Sequence, residues 1–168
     1  MIDINHFYFR LIKNKRGFSL TEIILTVSVM AIIIAGIFII YSKVKETSNW
    51  LSQHGAVENN GMTRLLYTQE WVSAQKALKN AFEGSGLYAY YDDIGNLFGQ
   101  LKGSKYPDQV ILSGSHIDTV INGGNLDGQF GIEAAYIALD YLHKTYGQPL
   151  RTLEVVSLAE EEGSRFPY

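Results

Sequence analysis

His116 and the acidic run Glu160-Glu161-Glu162 are the residues of this 168-residue chain whose types and spacing could do chemistry. His116 stands in Gly114-Ser115-His116-Ile117-Asp118-Thr119. A further acid, Asp127, stands in the glycine-rich stretch Asn122-Gly123-Gly124-Asn125-Leu126-Asp127-Gly128. An imidazole grouped with carboxylates suits a hard or borderline divalent cation such as Zn²⁺ or Mn²⁺. Three adjacent glutamates repel one another, and a bound cation would relieve them. Taken singly, each feature has a plainer reading: a lone histidine is usually structural, and an acidic run is usually a solvated loop. Other chemistries lack their signatures. Neither GxGxxG nor GxxxxGK[ST] is present, which argues against a phosphate cradle. No G-x-S-x-G elbow surrounds Ser113 or Ser115, so both are poor nucleophiles. Cysteine is absent, which excludes disulfides and thiolate metal sites. His6, His54 and His143 have no motif around them and read as surface or packing residues.

The elements that must position these residues are legible from periodicity. Thr68 suits a helix N-cap, with Glu70 in the first turn facing the positive end of the dipole. Trp71, Ala74, Leu78 and Ala81 follow at helical spacing, which predicts an amphipathic helix over 69–82, stopped by Gly84 and Gly86. Residues 87–91 and 96–101 read as strands joined by an Asp-Ile-Gly turn. Residues 109–112 form a short apolar run, expected to be a strand buried on both faces. A second helix is expected over 131–146, with Ile132, Ala135, Leu139 and Leu142 on one face, and another buried strand over 153–158. Strand, loop, helix and strand in this order make a right-handed βαβ unit, and the class is α/β. Ligands in open α/β sheets bind beyond the carboxyl ends of the strands. His116 falls just past one predicted strand end and Glu160–Glu162 just past the next, with Asp127 in the loop leading into the helix between them.

From about Trp50 to Tyr168 the chain resembles allantoate amidohydrolases and the related N-carbamoyl-L-amino-acid hydrolases. These belong to the aminoacylase/carboxypeptidase superfamily of two-metal hydrolases. The resemblance is carried by Gly61-Met62-Thr63-Arg64-Leu65-Leu66-Tyr67, by the His116 and Asp127 segments above, and by Ala159-Glu160-Glu161-Glu162-Gly163-Ser164-Arg165-Phe166. It implies that His116 ligates one metal, that Asp127 bridges two ions (Zn or Mn), and that Glu162 ligates the second. Glu161 would be the general base and Asp118 would orient the His116 ring. Periodicity does not decide which of the adjacent glutamates takes which role; the family register does. The implied activity is hydrolysis of a linear C–N amide or ureido bond, releasing ammonia and carbon dioxide from allantoate. In the family, each metal also takes a histidine lying far downstream, and an inserted dimerisation domain grips the substrate. The expectation is therefore an incomplete α/β metallohydrolase catalytic domain with a mixed sheet, an unprotected sheet edge and little or no activity alone.

The amino-terminal part carries a different signal. Residues 23–41 contain no charge, and about 19 residues make roughly 28 Å of helix, close to the hydrocarbon thickness of a bilayer. Glu22 lies at the edge of the run, where the penalty for a carboxylate falls. Lys13, Lys15 and Arg16 precede it and keep that end cytoplasmic. No small-residue cleavage site follows, which disfavours a conventional secretory signal. Lys13-Asn14-Lys15-Arg16-Gly17-Phe18-Ser19-Leu20-Thr21-Glu22 resembles the amino terminus of type IV prepilins and pseudopilins, over about residues 1–46. That resemblance implies cleavage by a prepilin peptidase between Gly17 and Phe18 and methylation of Phe18. It also implies pairing of Glu22 with the terminal amine of a neighbouring chain.

The expected domains are thus a leader over 1–17, a transmembrane helix over 18–47 and the amino-terminal half of an amidohydrolase catalytic domain over 48–168. Net charge is −3, with basic residues crowded in the leader and at Lys43 and Lys45 and acids dominating after Trp50. That distribution argues against nucleic-acid binding. The two resemblances conflict over location, since the hydrolases work in the cytoplasm while a prepilin orientation puts everything after Tyr41 outside. Rival readings are a pilin-like membrane protein with a passenger domain, and a nonfunctional gene fusion.

Overall fold

The computed structural model describes residues 19–58 and 61–166, so Gly17, Phe18 and His6 lie outside the described residues. The elements, in chain order, are α1 (Leu20–Leu51), α2 (Gln69–Gly84), β1 (Tyr88–Tyr91), β2 (Leu97–Leu101), β3 (Tyr106–His116), α3 (Gln129–Tyr146) and β4 (Arg151–Leu158). The chain divides into two compact units, Met1–Tyr41 and Ser42–Tyr168.

In the first unit, α1 opens with a reciprocal cap. The Ser19 N–H donates to Glu22 Oε2 at 2.8 Å, and the Glu22 N–H donates to Ser19 Oγ at 3.2 Å. Two orphan donors of the first turn are satisfied this way, the capping-box arrangement. Thr26 and Ser28 donate their hydroxyls back to the carbonyls of Glu22 and Ile24, both at 2.8 Å. Such back-bonding leaves no hydroxyl proton facing an apolar medium. Apolar side chains such as Leu25, Val27, Ile32, Ile34 and Phe38 are all exposed. The helix is long and apolar enough to cross a bilayer.

The second unit contains a mixed four-stranded sheet in the order β1-β2-β4-β3. β1 pairs antiparallel with β2, and β2 antiparallel with β4. β3 and β4 run parallel, with Ser113 opposite Val155 and His116 opposite Leu158. The chain between β3 and β4 contains α3, so the expected βαβ order is present in an α/β fold. The core joins Leu78 and Phe82 of α2, Leu97 of β2, Val155 of β4, Ile132 of α3 and Ile117 with Leu51. α2 begins as expected, with Thr68 Oγ1 accepting the Trp71 N–H at 3.4 Å. The β1–β2 turn is held by Asp92 Oδ1, which accepts the N–H groups of Ile94 and Asn96 at 3.1 and 2.9 Å.

Three expectations need correction. β3 extends over Tyr106–His116, far beyond 109–112, and its middle is not buried: Val110, Ile111 and Leu112 are 48%, 55% and 53% exposed. Among the described residues β3 is an edge strand paired only with β4, so an apolar run that could serve a central strand lies open at the sheet margin. His116 is consequently the last residue of the strand rather than just past it. Leu142, expected on the buried face of α3, is exposed, whereas Ile132 and Leu139 are buried. The face in contact with the core narrows toward the carboxyl end of α3.

Candidate metal centre

The parallel pairing of β3 with β4 sets the geometry. Because His116 stands opposite Leu158, the His116 side chain and the turn after β4 emerge at one rim. One donor atom from each of His116, Glu161 and Glu162 lies within 4.8 Å of the others. His116 Nε2 is 3.7 Å from Glu161 Oε2 and 3.8 Å from Asp127 Oδ1. The other ring nitrogen, Nδ1, lies 3.0 Å from the Asp118 carbonyl oxygen and 3.3 Å from Asp118 Oδ1. Both of those atoms are acceptors, so the Nδ1 position carries the proton in the neutral ring. Nε2, facing the cluster, is then left with its lone pair.

Asp118 is fully buried and does more than orient the imidazole. Its carboxylate also accepts the Glu161 N–H at 3.0 and 3.1 Å and the Glu162 N–H at 3.0 Å. The turn bearing both glutamates is thereby anchored to the same side chain that aligns His116. The glutamate run separates in space. Glu160 Oε1 accepts the N–H groups of Arg165 and Phe166 at 2.9 and 3.1 Å, capping its own turn. Gly128, beside Asp127, has φ +66, and a Cβ there would lie 2.4 to 2.5 Å from the His116 carbonyl and ring. Only glycine lets the Asp127 loop come this close to the histidine.

Electrostatics reflect the crowding. The hydrogen bond that the His116 imidazole donates to the Asp118 side chain raises it to about 9, against an opposing effect of burial. Glu162 is raised by burial first and then by the carboxylates of Asp127, Glu161 and Asp118, with His116 acting in the other direction. A set of one imidazole at a strand end and three carboxylates on the adjoining loops fits a divalent cation by donor chemistry and by its excess negative charge.

Comparison with known proteins bears on what this rim is. Residue-level similarity is high to an allantoate amidohydrolase of Escherichia coli (strain K12), 59% identical over 125 residues, which are 74% of this chain and 30% of the relative. An allantoate amidohydrolase of Bacillus subtilis (strain 168) is 58% identical over 118 residues, 70% of this chain and 29% of the relative. Over those residues the chain resembles the allantoate amidohydrolases. The chain spans about 30% of the length of these curated relatives. A solved hydantoinase/carbamoylase family amidase from Burkholderia ambifaria has the same fold as this allantoate amidohydrolase-like part. Its TM-score is 0.71 at 27% identity, covering 74% of this chain and 31% of that one. Residues 12–38 match a separate family, the prokaryotic N-terminal methylation motif.

In the allantoate amidohydrolase-like part, the structure brings His116, Asp118, Asp127, Glu161 and Glu162 together. Of the amino-terminal residues singled out in the sequence, Glu22 is described, engaged with Ser19. Sequence reasoning passed over Arg64, whose guanidinium is fully buried behind the rim. It also passed over Glu133, which bonds Ser48 and is raised to about 7 by burial, with Ser48 and Arg64 opposing. Arg64 belongs to the Gly61–Tyr67 motif, a run without helical or strand periodicity. A charged residue inside such a run was the available signal.

Proposed function

We propose that the unit from Ser42 onward carries a cation-dependent amidohydrolase site for a linear ureido or amide C–N bond, as in allantoate or an N-carbamoyl-amino acid. The observation that supports it best is the convergence of His116, Glu161 and Glu162 within 4.8 Å at one end of a parallel strand pair. His116, Asp127 and Glu162 would hold the divalent ions, Zn²⁺ or Mn²⁺. A bound cation supplies Lewis acidity toward the scissile carbonyl and a lowered pKa for water. Glu161 then serves as the base, taking a proton at Oε2, which already faces His116. Asp118 keeps the proton on His116 Nδ1 and fixes the turn that presents Glu161, so both groups are oriented before substrate arrives.

Zinc sites ordinarily take four donors. One imidazole and two carboxylates cannot saturate two ions, so this chain by itself is expected to bind cation with modest affinity and to turn over little or no allantoate. The test uses the full chain in detergent micelles, titrated calorimetrically with Mn²⁺ or Zn²⁺ and assayed for ammonia release from allantoate. Cation uptake that disappears in His116→Ala supports the reading. Uptake that is absent, or unchanged in His116→Ala, overturns it. Brisk metal-dependent hydrolysis would overturn the expected inactivity alone.

The methylation motif at residues 12–38 favours a second reading, a pilin-like membrane protein with the later unit as passenger. Residues 23–41 would span the membrane with the amino terminus cytoplasmic, and a prepilin peptidase would cut between Gly17 and Phe18. Mass spectrometry after co-expression with that peptidase should find a chain beginning at a methylated Phe18; an unchanged mass counts against it.

A further inference from the structure

We propose that Arg64 is a positioning residue for the cation site, tying the segment that carries His116 to the loop and helix that follow Asp127. The inference rests on the cation-dependent reading above. Arg64 is 0% exposed, and its guanidinium donates to acceptors from three separate segments, residues 51–54, Ile117 and Gln129. Nη1 donates to the Ile117 carbonyl at 3.1 Å, and Ile117 lies between His116 and Asp118. Nη2 donates to Gln129 Oε1 at 3.2 Å, and Gln129 is the first residue of α3, two beyond Asp127. Nη2 also reaches the Leu51 carbonyl at 3.2 Å, and Nε donates to the His54 carbonyl at 2.8 Å.

Gln129 passes the connection on. Its Nε2 lies 3.3 Å from Asn125 Oδ1, inside the loop that bears Asp127. The Arg64 backbone makes a second tie to the same rim, accepting the Thr119 N–H at 3.1 Å and donating to Thr119 Oγ1 at 2.9 Å. One side chain therefore fixes the spacing of the strand end that carries His116 and the loop that carries Asp127. Burying a guanidinium is costly unless its donors are satisfied. Here the planar fork reaches the Leu51, His54 and Ile117 carbonyls and the Gln129 side chain together. A lysine ammonium, with three donors on one point, cannot bridge acceptors spread this way. Burial lowers the guanidinium to about 10, with the charges of Glu133 and Asp118 opposing, so it stays protonated at neutral pH.

The test compares Arg64→Lys with Leu78→Ala in the full chain in detergent micelles. Leu78 is a core residue of α2, so its truncation costs stability without touching the rim. The readouts are the His116 ring nitrogen resonances in metal-free protein, and Co²⁺ affinity with its visible absorption spectrum. Arg64→Lys should move the His116 resonances and weaken Co²⁺ at least about tenfold, the usual scale for a group that orients metal ligands. Leu78→Ala should do neither. If Arg64→Lys behaves like Leu78→Ala in both readouts, the proposal is wrong and Arg64 serves the fold alone. Should Arg64→Lys fail to fold, Gln129→Met decides, since it removes the link toward Asp127 and a bond to Ser52 while leaving the Arg64 bonds to the Leu51, His54 and Ile117 carbonyls in place. Unaltered Co²⁺ affinity and spectrum in that variant would also overturn the proposal. Absence of Co²⁺ uptake by the unsubstituted chain would sink the cation reading, leaving the His116 resonances to judge Arg64.

Discussion

Asp118 Oδ1 accepts the backbone N–H of Glu161 at 3.0 Å, joining the end of β3 to the turn after β4 across 43 residues of sequence. The same carboxylate oxygen lies 3.3 Å from His116 Nδ1. One buried acid thus aligns a candidate ligand and a candidate base together. Replacing Asp118 with Asn puts an amide where three donors converge. Cation affinity should fall about 10- to 100-fold, measured by calorimetry with Mn²⁺. Asp118→Ala should also destabilise the unit by about 1–3 kcal/mol for each N–H left unpaired, measured by urea unfolding.

Glu161 and Glu162 are neighbours with different assigned tasks, and charge-neutral substitutions should separate them. Glu162→Gln removes a proposed ligand and should weaken cation binding about tenfold or more. Glu161→Gln removes the proposed base and should leave affinity much closer to that of the unsubstituted chain. Calorimetric titration of both variants checks this. Equal losses in the two would contradict the assignment.

Gly128→Ala should act on the site through the backbone. The added Cβ would collide with the His116 carbonyl and ring at a residue whose φ is +66. Both the clash and the left-handed conformation disfavour alanine. The expected outcome is loss of cation binding together with a lowered Tm. Gly124→Ala, four residues earlier, should be mild by the same measurements, since its Cβ would meet only Asp127 Cβ at 3.6 Å.

Glu133 predicts the pH dependence of stability. Burial raises this carboxyl to about 7, whereas the unfolded chain titrates near the ordinary glutamate value. Between those limits the folded state holds the extra proton. Stability contributed by the protonated form is therefore full below about pH 4.5 and is lost as pH rises through 7. The loss is on the order of 3 kcal/mol for a buried group shifted this far. Glu133→Gln, which cannot ionise, should be close to neutral at pH 5 and more stable than the parent at pH 8, by urea unfolding at both values. Equal pH profiles for parent and variant would remove Glu133 as the cause.

Local pattern carried much of the fold. Helical spacing from Trp71 to Leu78, the Thr68 cap and the turn at Asp92 are short-range effects, and the structure reproduces them within a few residues. β3 departs because an apolar run reads the same whether its strand is central or at the edge. Burial there depends on which strands pair, and among the described residues β3 pairs only with β4.

By itself the sequence determined that one region is apolar enough to lie in lipid, and that His116, Asp127 and the glutamates follow successive elements of a βαβ unit. Chain order brings such residues to one rim without any tertiary detail. Only the tertiary structure decided that Glu160 turns to its own loop, that Asp118 clamps the other two glutamates, and that Arg64 lies buried behind them. Those contacts join residues tens of positions apart through single hydrogen bonds. Such bonds have no sequence period, so nothing short of the folded chain could disclose them.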